Sequence, residues 1–142
     1  MSYSLSFTHA ILAIIYVADK VQQGMYDFVP IQQIAHDLNI PASSTAAIFR
    51  SLSRAGLIET REGAKGGVRL ALPAEQVEVL DILRAIEQER PLFQTQLQPR
   101  VTGDKPTRAQ QTIAQILSEA EQAMKQRLAA STINDILNDL NA

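Results

Sequence analysis

The sequence predicts a mainly α fold with a small β-hairpin wing, and three observations predict it. The first is a repeated apolar spacing. Ile31, Ile34, Ala35 and Leu38 stand at i, i+3, i+4 and i+7, and after Asn39-Ile40-Pro41 the spacing returns in Thr45, Ile48, Phe49 and Leu52. Two short amphipathic helices joined by so tight a break read as a helix-turn-helix. The second observation is a hairpin pattern immediately after Gly56. Two short, partly alternating runs, residues 57–61 and 68–72, flank the turn Glu62-Gly63-Ala64-Lys65-Gly66-Gly67. A hairpin placed there makes the unit a winged helix-turn-helix. The third is a long helical stripe near the end of the chain, formed by Ile113, Ile116, Leu117, Ala120, Met124 and Leu128.

The remaining elements can be taken in chain order. Residues 1–5 are expected to be a loose start. From about Ser6 to Gln23 a helical stripe of Phe7, Ile11, Ile14, Ile15 and Ala18 is widened by Ala10 and Val17, and Gly24 is placed to close it. Residues 26–29 read as a plain link. Pro30 suits a first helical turn because it has no N–H to leave unpaired there. The second helix of the pair is expected over Pro41–Ala55, with Gly56 where a positive φ is wanted.

Beyond the hairpin, a helix is expected over about Val79–Gln88 with Leu80, Leu83 and Ile86 inward. Residues 89–106 contain Pro91, Pro99, Gly103 and Pro106 without sustained periodicity, and read as a long loop. Thr107 followed by Gln110 spells a capping box, which starts the long helix at Thr107 and carries it to about Ser131. Thr132 with Asp135 marks one more start, before Ile133, Ile136, Leu137 and Leu140. The expected organisation is therefore a winged domain over 1–88, a loop over 89–106 and helices over 107–142.

Composition removes several classes of function. The chain has no cysteine, which excludes disulfides, thiol catalysis and Cys-ligated zinc or iron–sulfur sites. Its two histidines, His9 and His36, fall on different helices without a companion ligand at metal spacing. No G-x-S-x-G, phosphate loop or paired-carboxylate arrangement is present. No catalytic residue, metal site or cofactor is expected, and the chain does not read as an enzyme. The apolar run Ala10–Ala18 is too short to span a bilayer and lacks a leader's basic flank, so a cytoplasmic protein is expected, away from membranes.

Charge points the other way. The formal net charge of −2 argues against nucleic acid, but its distribution does not. Between Arg50 and Arg69 lie Arg50, Arg54, Arg61, Lys65 and Arg69 against only Glu59 and Glu62, a local +3. Local field decides where a phosphate backbone docks. With Thr45, Ile48, Phe49 and Leu52 inward, the second helix turns Ser43, Ser44, Ala46, Ala47, Arg50 and Arg54 outward. Small polar residues leading and cations trailing suit a major groove, and the alanines allow contact with a thymine methyl. Arg61, Lys65, Gly66, Gly67 and Arg69 suit wing contacts to backbone or minor groove, the glycines letting main chain approach a phosphate. These eleven residues are the candidate DNA-binding set. The extra helices over 107–142 exceed what a winged domain needs, so Ile113, Ile116, Leu117, Ala120 and Met124 are the candidate dimerisation residues.

The order of elements, with the segments "AGLIETREGAKGGVRLA" and "VEVLDILRAIEQ", resembles the Rrf2 family of bacterial winged-helix regulators over nearly the whole chain. The resemblance implies a homodimer that binds a pseudo-palindromic operator in double-stranded DNA, mostly as a repressor. It implies contacts from Ser43, Ser44, Ala46, Ala47 and Arg50 and from the wing at 62–67. Ala46 and Ala47 stand where some relatives carry longer polar side chains. Cluster-sensing relatives place three cysteines in the segment corresponding to 89–106, and this chain has none there. The expectation is a regulator without an iron–sulfur cluster. An effector, if one acts, is expected between the winged domain and the long helix, at that loop, where Leu92, Phe93 and Leu97 interrupt a polar stretch; the favoured expectation for these three side chains is that they tack the loop onto the core. The competing expectation is a winged-helix module that binds another protein and no DNA. Acidic or apolar residues on the recognition face would favour it, and Arg50, Arg54, Lys65 and Arg69 do not.

Overall fold

The computed structural model describes residues 5–142, so the loose start expected over residues 1–5 lies outside the described residues except at Leu5, which already begins the first helix. The elements in order are α1 (Leu5–Gln22), α2 (Ile31–Leu38), α3 (Ala42–Arg54), β1 (Ile58–Arg61), β2 (Gly67–Leu70), a 3-10 turn (Ala74–Gln76), α4 (Val79–Glu87), α5 (Asp104–Ala129) and α6 (Ile133–Leu140). Six helices and one antiparallel hairpin make the mainly α winged fold.

α1 runs through the centre. Ala10, Ala13, Ile14 and Val17 are fully buried, while Phe7, Ile11 and Ile15 are only half-buried at the edge of the core. The inward face is thus rotated towards the alanines, because small side chains let α2, α3, α4 and α6 all close on one helix. α2 ends on Asn39, whose φ of 54° places it in the left-handed region that suits a helix stop. The turn is then only Asn39-Ile40-Pro41, with Ile40 buried as a staple between the two helices. α3 buries Thr45, Ile48, Phe49 and Leu52, the set its spacing selects. The Thr45 hydroxyl, fully buried, donates to the Pro41 carbonyl at 3.0 Å, which satisfies it without a partner from outside the helix. Gly56, at φ +78°, turns the chain into β1.

β1 and β2 pair in the register Ile58–Leu70, Glu59–Arg69, Thr60–Val68 and Arg61–Gly67. The segment read as a plain link is more than that. Val29 exchanges both backbone hydrogen bonds with Val68, each at 2.9 Å, and so adds a one-residue third strand to the hairpin. That pairing fixes the wing to the body between α1 and α2.

Two further expectations are corrected, at the start of α5 and at α6. The capping box at Thr107 does not form; α5 begins at Asp104, and the Thr107 hydroxyl donates back to the Gly103 carbonyl at 2.9 Å. Pro106 falls in the first turn, where its missing N–H has no partner to lose, so the helix runs straight through it. In α4, Leu80 and Leu83 are buried as expected and Ile86 packs against the core, with Ile82 and Ala85 joining them inward. α6, grouped by sequence with the long helix, instead packs on α1 and on the 3-10 turn. Its Ile133 and Leu137 are core residues. Its cap does form as spelled, the Asp135 N–H donating to the Thr132 hydroxyl at 3.1 Å and the Thr132 N–H to the Asp135 carboxylate at 2.9 Å. Two main-chain bonds, Val79 N–H to the Ser131 carbonyl and Ile133 N–H to the Val77 carbonyl, both 2.9 Å, join its start to that of α4.

α5 stands apart in character. Its 26 residues span about 39 Å and none is buried. Ile113 and Ile116 are 44% and 58% exposed. The preceding segment, residues 88–103, has no regular structure, and the Leu92 N–H donates to the Glu121 carboxylate of α5. Leu92 is half-buried, whereas Phe93 and Leu97 are exposed.

Candidate nucleic-acid interface

α3 presents its polar face to solvent because its four apolar positions lock the other face into the core. Ser43, Ser44, Ala47, Arg50 and Arg54 are exposed, and Ala46 is half-buried. Among the described residues neither Arg50 nor Arg54 has an ion-pair partner. Between α3 and β1 lies an open groove of about 630 Å³, lined by Ala46, Phe49, Arg50, Ser53, Arg54, Thr60 and Ile31 of α2. Ser53 and Thr60 hydroxyls, 3.2 Å apart, tie the helix to the first wing strand at the end of that groove. Its lining combines apolar Ile31, Ala46 and Phe49 with cationic Arg50 and Arg54.

The wing cations have a different setting. Glu59, Arg61, Gly67 and Arg69 share one face of the hairpin by register. Arg69 donates from Nε to Glu59 and from Nη1 to Asp27, each at 3.1 Å. Arg61 donates from Nη1 to Asp27 at 3.4 Å and from Nε and Nη2 to the Lys65 carbonyl at 3.3 and 3.0 Å. Both guanidinium carbons sit 4.2 Å from the centre of the buried Phe28 ring, within cation–π range. Hydrogen bonding to Glu59, and then the charges of Glu59 and Asp27, raise the Arg69 pKa further. Lys65 is exposed at the wing tip, beside a cavity of about 340 Å³ that Met25, Tyr26, Asp27, Phe28 and Arg61 help to line.

The glycines of the turn carry a structural duty. A Cβ on Gly67, whose φ is +152°, would lie 2.3 Å from the Val29 carbonyl oxygen, and one on Gly66 would lie 2.2 Å from that of Arg61. Close approach of main chain is required here, as the sequence suggested, but the approaching chain is the protein's own.

Sequence reasoning missed Asp27 and Phe28. Both precede the helix-turn-helix by a short link and carry no local signal, since the arginines that Asp27 holds lie 34 and 42 residues away. Asp27 lowers the local +3 of the basic window by one. It also missed a network that seats α2 on α1. Tyr16 donates its phenol hydrogen to Asp37, which also accepts from Gln33 Nε2 at 2.9 Å and lies 3.2 Å from His36 Nδ1. These bonds, led by the one from Tyr16, hold the Asp37 carboxyl down to about 2, while burial and then the bond to Asp37 push the Tyr16 phenol up to about 12.

Among the described residues no three His, Asp or Glu lie close enough to hold a metal ion. The chain has no cysteine. No helix among the described residues is long and apolar enough to cross a membrane.

Known proteins sharpen this geometry. The model of the Rrf2 family, described as an iron-dependent transcriptional regulator, matches residues 3–139. Protein rrf2 of Nitratidesulfovibrio vulgaris is 31% identical over 122 residues, covering 85% of this chain and 79% of that protein. The HTH-type transcriptional regulator IscR of Cereibacter sphaeroides is 31% identical over 88 residues, 62% of this chain, which spans 56% of that protein's length. Among solved structures, IscR of T. potens superposes with a TM-score of 0.71 at 20% identity, over 99% of this chain and 88% of that one. CymR, the global cysteine regulator of B. subtilis, superposes with a TM-score of 0.68 at 18% identity, over 97% of each chain.

Proposed function

The chain belongs to the Rrf2 family of transcriptional regulators, a family of DNA-binding winged-helix proteins and not of enzymes, and from that premise we propose that it acts as a homodimeric repressor on a pseudo-palindromic operator. The observation that carries the reading is the outward face of α3. Ser43, Ser44, Ala47, Arg50 and Arg54 are solvent-facing, and the two arginines, which line an open groove, have no carboxylate partner among the described residues. In this reading α3 enters the major groove, with Ser43 and Ala47 at base edges and Arg50 and Arg54 on phosphate or guanine. Lys65 reaches the flanking backbone or minor groove. Arg69, Gly66 and Gly67 hold the wing in shape for that reach, and Arg61 stands beside Lys65 to join it.

The homodimer rests on α5. A 26-residue helix with nothing buried, carrying exposed Ile113 and Ile116 in line with Leu117, Ala120 and Met124, is supported best by a second copy on that stripe. The DNA-reading unit then comprises α1–α4 with α6 packed back onto it, and α5 with residues 89–103 forms the dimer-facing arm. The absence of thiols supports regulation without an iron–sulfur cluster, in a cytoplasmic setting, by a signal of another kind.

Selection of bound duplexes from a random pool, with sedimentation of protein and complex, tests this. The expected result is an inverted-repeat consensus bound by a dimer. Ile116→Glu would bury a charge in that interface, so it should yield a monomer whose operator affinity falls at least roughly 100-fold. Enrichment of no sequence, or a dimer indifferent to Ile116→Glu, would overturn the operator reading or the α5 interface respectively.

A further inference from the structure

We propose that Asp27 is an intramolecular competitor for DNA phosphate, holding Arg61 in the free protein and releasing it when the wing meets a duplex. The inference rests on the DNA-binding reading and concerns how tightly the wing grips. Asp27 shares its two carboxylate oxygens between Arg61, at 3.4 Å, and Arg69, at 3.1 Å. The two arginines are not equally held. Arg69 has a second carboxylate, Glu59 at 3.1 Å, and its side chain is 36% exposed; Arg61 has Asp27 alone among the described residues and is 45% exposed. Arg61 is therefore the one that a phosphate can take.

The chemistry of the exchange is simple. An exposed arginine–carboxylate pair is weak and screened by salt, so Asp27 does not lock Arg61. It offers what a phosphate offers, an anionic oxygen pair, at high local concentration. Duplex DNA supplies a denser array of such oxygens at the wing and outcompetes it, and Asp27 is left facing solvent, where it is already 66% exposed. Phe28 keeps the guanidinium close while it changes partner, since stacking on the ring does not depend on which anion is bound. Nη1 is the atom that changes partner, while Nε and Nη2 hold the Lys65 carbonyl through separate bonds. A plain brace makes the opposite demand. If Asp27 served only to stiffen the wing, removing its charge would loosen the tip and weaken binding.

The sign of one substitution separates the two. Salt-dependent binding to a pool of random-sequence duplexes is measured for the full chain, for Asp27→Asn, for Asp27→Glu, and for Asp139→Asn on α6 as a charge-matched control. Asp27→Asn is expected to bind roughly threefold or more tightly per subunit at about 0.1 M salt, with the slope of log affinity against log salt steeper by up to about 0.9. Asp27→Glu should restore the wild-type slope, and Asp139→Asn should leave it unchanged. Weaker or unchanged binding by Asp27→Asn, or an equal gain in Asp139→Asn, overturns the proposal. No binding by the wild-type chain even at low salt would overturn the DNA reading itself, and the competitor with it.

Discussion

α3 and the wing carry similar numbers of cations and use them in different ways. Arg50 and Arg54 stand on a rigid helix, exposed and without carboxylate partners among the described residues. Arg61 and Arg69 stand on a two-stranded hairpin and are bound to Asp27, Glu59, a main-chain carbonyl and the Phe28 ring. The difference comes from what each element needs to stay in place. A helix satisfies its own backbone and needs only its apolar face buried. A two-stranded hairpin is marginal alone, so its side chains are drawn into holding it, and fewer remain free for a ligand. A helix can commit its cations to a partner outright; in a wing this small Arg69 stays with its two carboxylates, and Arg61 must exchange Asp27 for a new partner.

The largest expected effect breaks the comparison at α3. Arg50→Ala with Arg54→Ala should lower duplex affinity roughly 100-fold or more and reduce the salt slope by about two contacts. The thermal midpoint should stay where it is, because neither side chain has an ion-pair partner among the described residues. A midpoint that falls along with affinity would show that the helix cations are structural after all. Gly67→Ala tests the wing from the other side. Its Cβ meets the Val29 carbonyl oxygen at 2.3 Å, so calorimetry should register a loss of about 2–4 kcal/mol in stability. Duplex affinity should fall as a consequence, and a protein of wild-type stability would refute the tight three-strand crossing.

Arg69→Ala sharpens the contrast at single-residue scale. It should lower duplex affinity less than about threefold, well short of Arg50→Ala alone, since Arg69 is already committed to two carboxylates. Equal losses from the two would erase the distinction between the regions. The smallest effect concerns the seat of α2. Asp37 is held down to about 2, against 3.8 for a free carboxyl, so its contribution is complete above about pH 4 and is lost as pH falls through 2. Tyr16 is raised to about 12 from 10.0, so its share is complete below pH 10 and is lost as pH rises through 12. Tyr16→Phe should therefore flatten both ends of the stability–pH curve while leaving the middle only slightly lowered. Urea unfolding at pH 3 and pH 7 checks the acid limb.

The helix-turn-helix was legible because each of its helices writes its burial in a local period. Thr45, Ile48, Phe49 and Leu52 are three and four residues apart, and nothing distant competes for them. The wing was legible from the glycines at 56, 63, 66 and 67. What could not be read is what depends on distance along the chain. The Asp27 contacts to Arg61 and Arg69 and the Val29 pairing to Val68 have no neighbouring signal. α6 has the same amphipathic spacing whether its stripe meets another subunit or its own core, and the structure chooses the core. At α5 the local signals misled. Thr107 and Gln110 spell a cap, but the free N–H groups of a first turn tolerate Pro106, and the helix starts three residues sooner. The candidate contact residues on α3 were found because exposure is the complement of a burial pattern. The wing residues were found for their charge, and charge alone does not say who already holds it.

The return of α6 bears on how the protein is made. Ile133 and Leu137 fill the centre of the unit that begins with α1, and the main-chain bonds from Val77 to Ile133 and from Ser131 to Val79 bridge more than fifty residues. A ribosome delivers the helix-turn-helix and wing long before those two side chains emerge. Until residue 137 is clear, the nascent winged unit has an open slot along α1, with apolar surface facing water or a chaperone. Core closure thus waits for α6, and α5, lying between, is already outside the ribosome when it happens. Polypeptides stalled or clipped before α6 should carry a winged unit that cannot hold its shape.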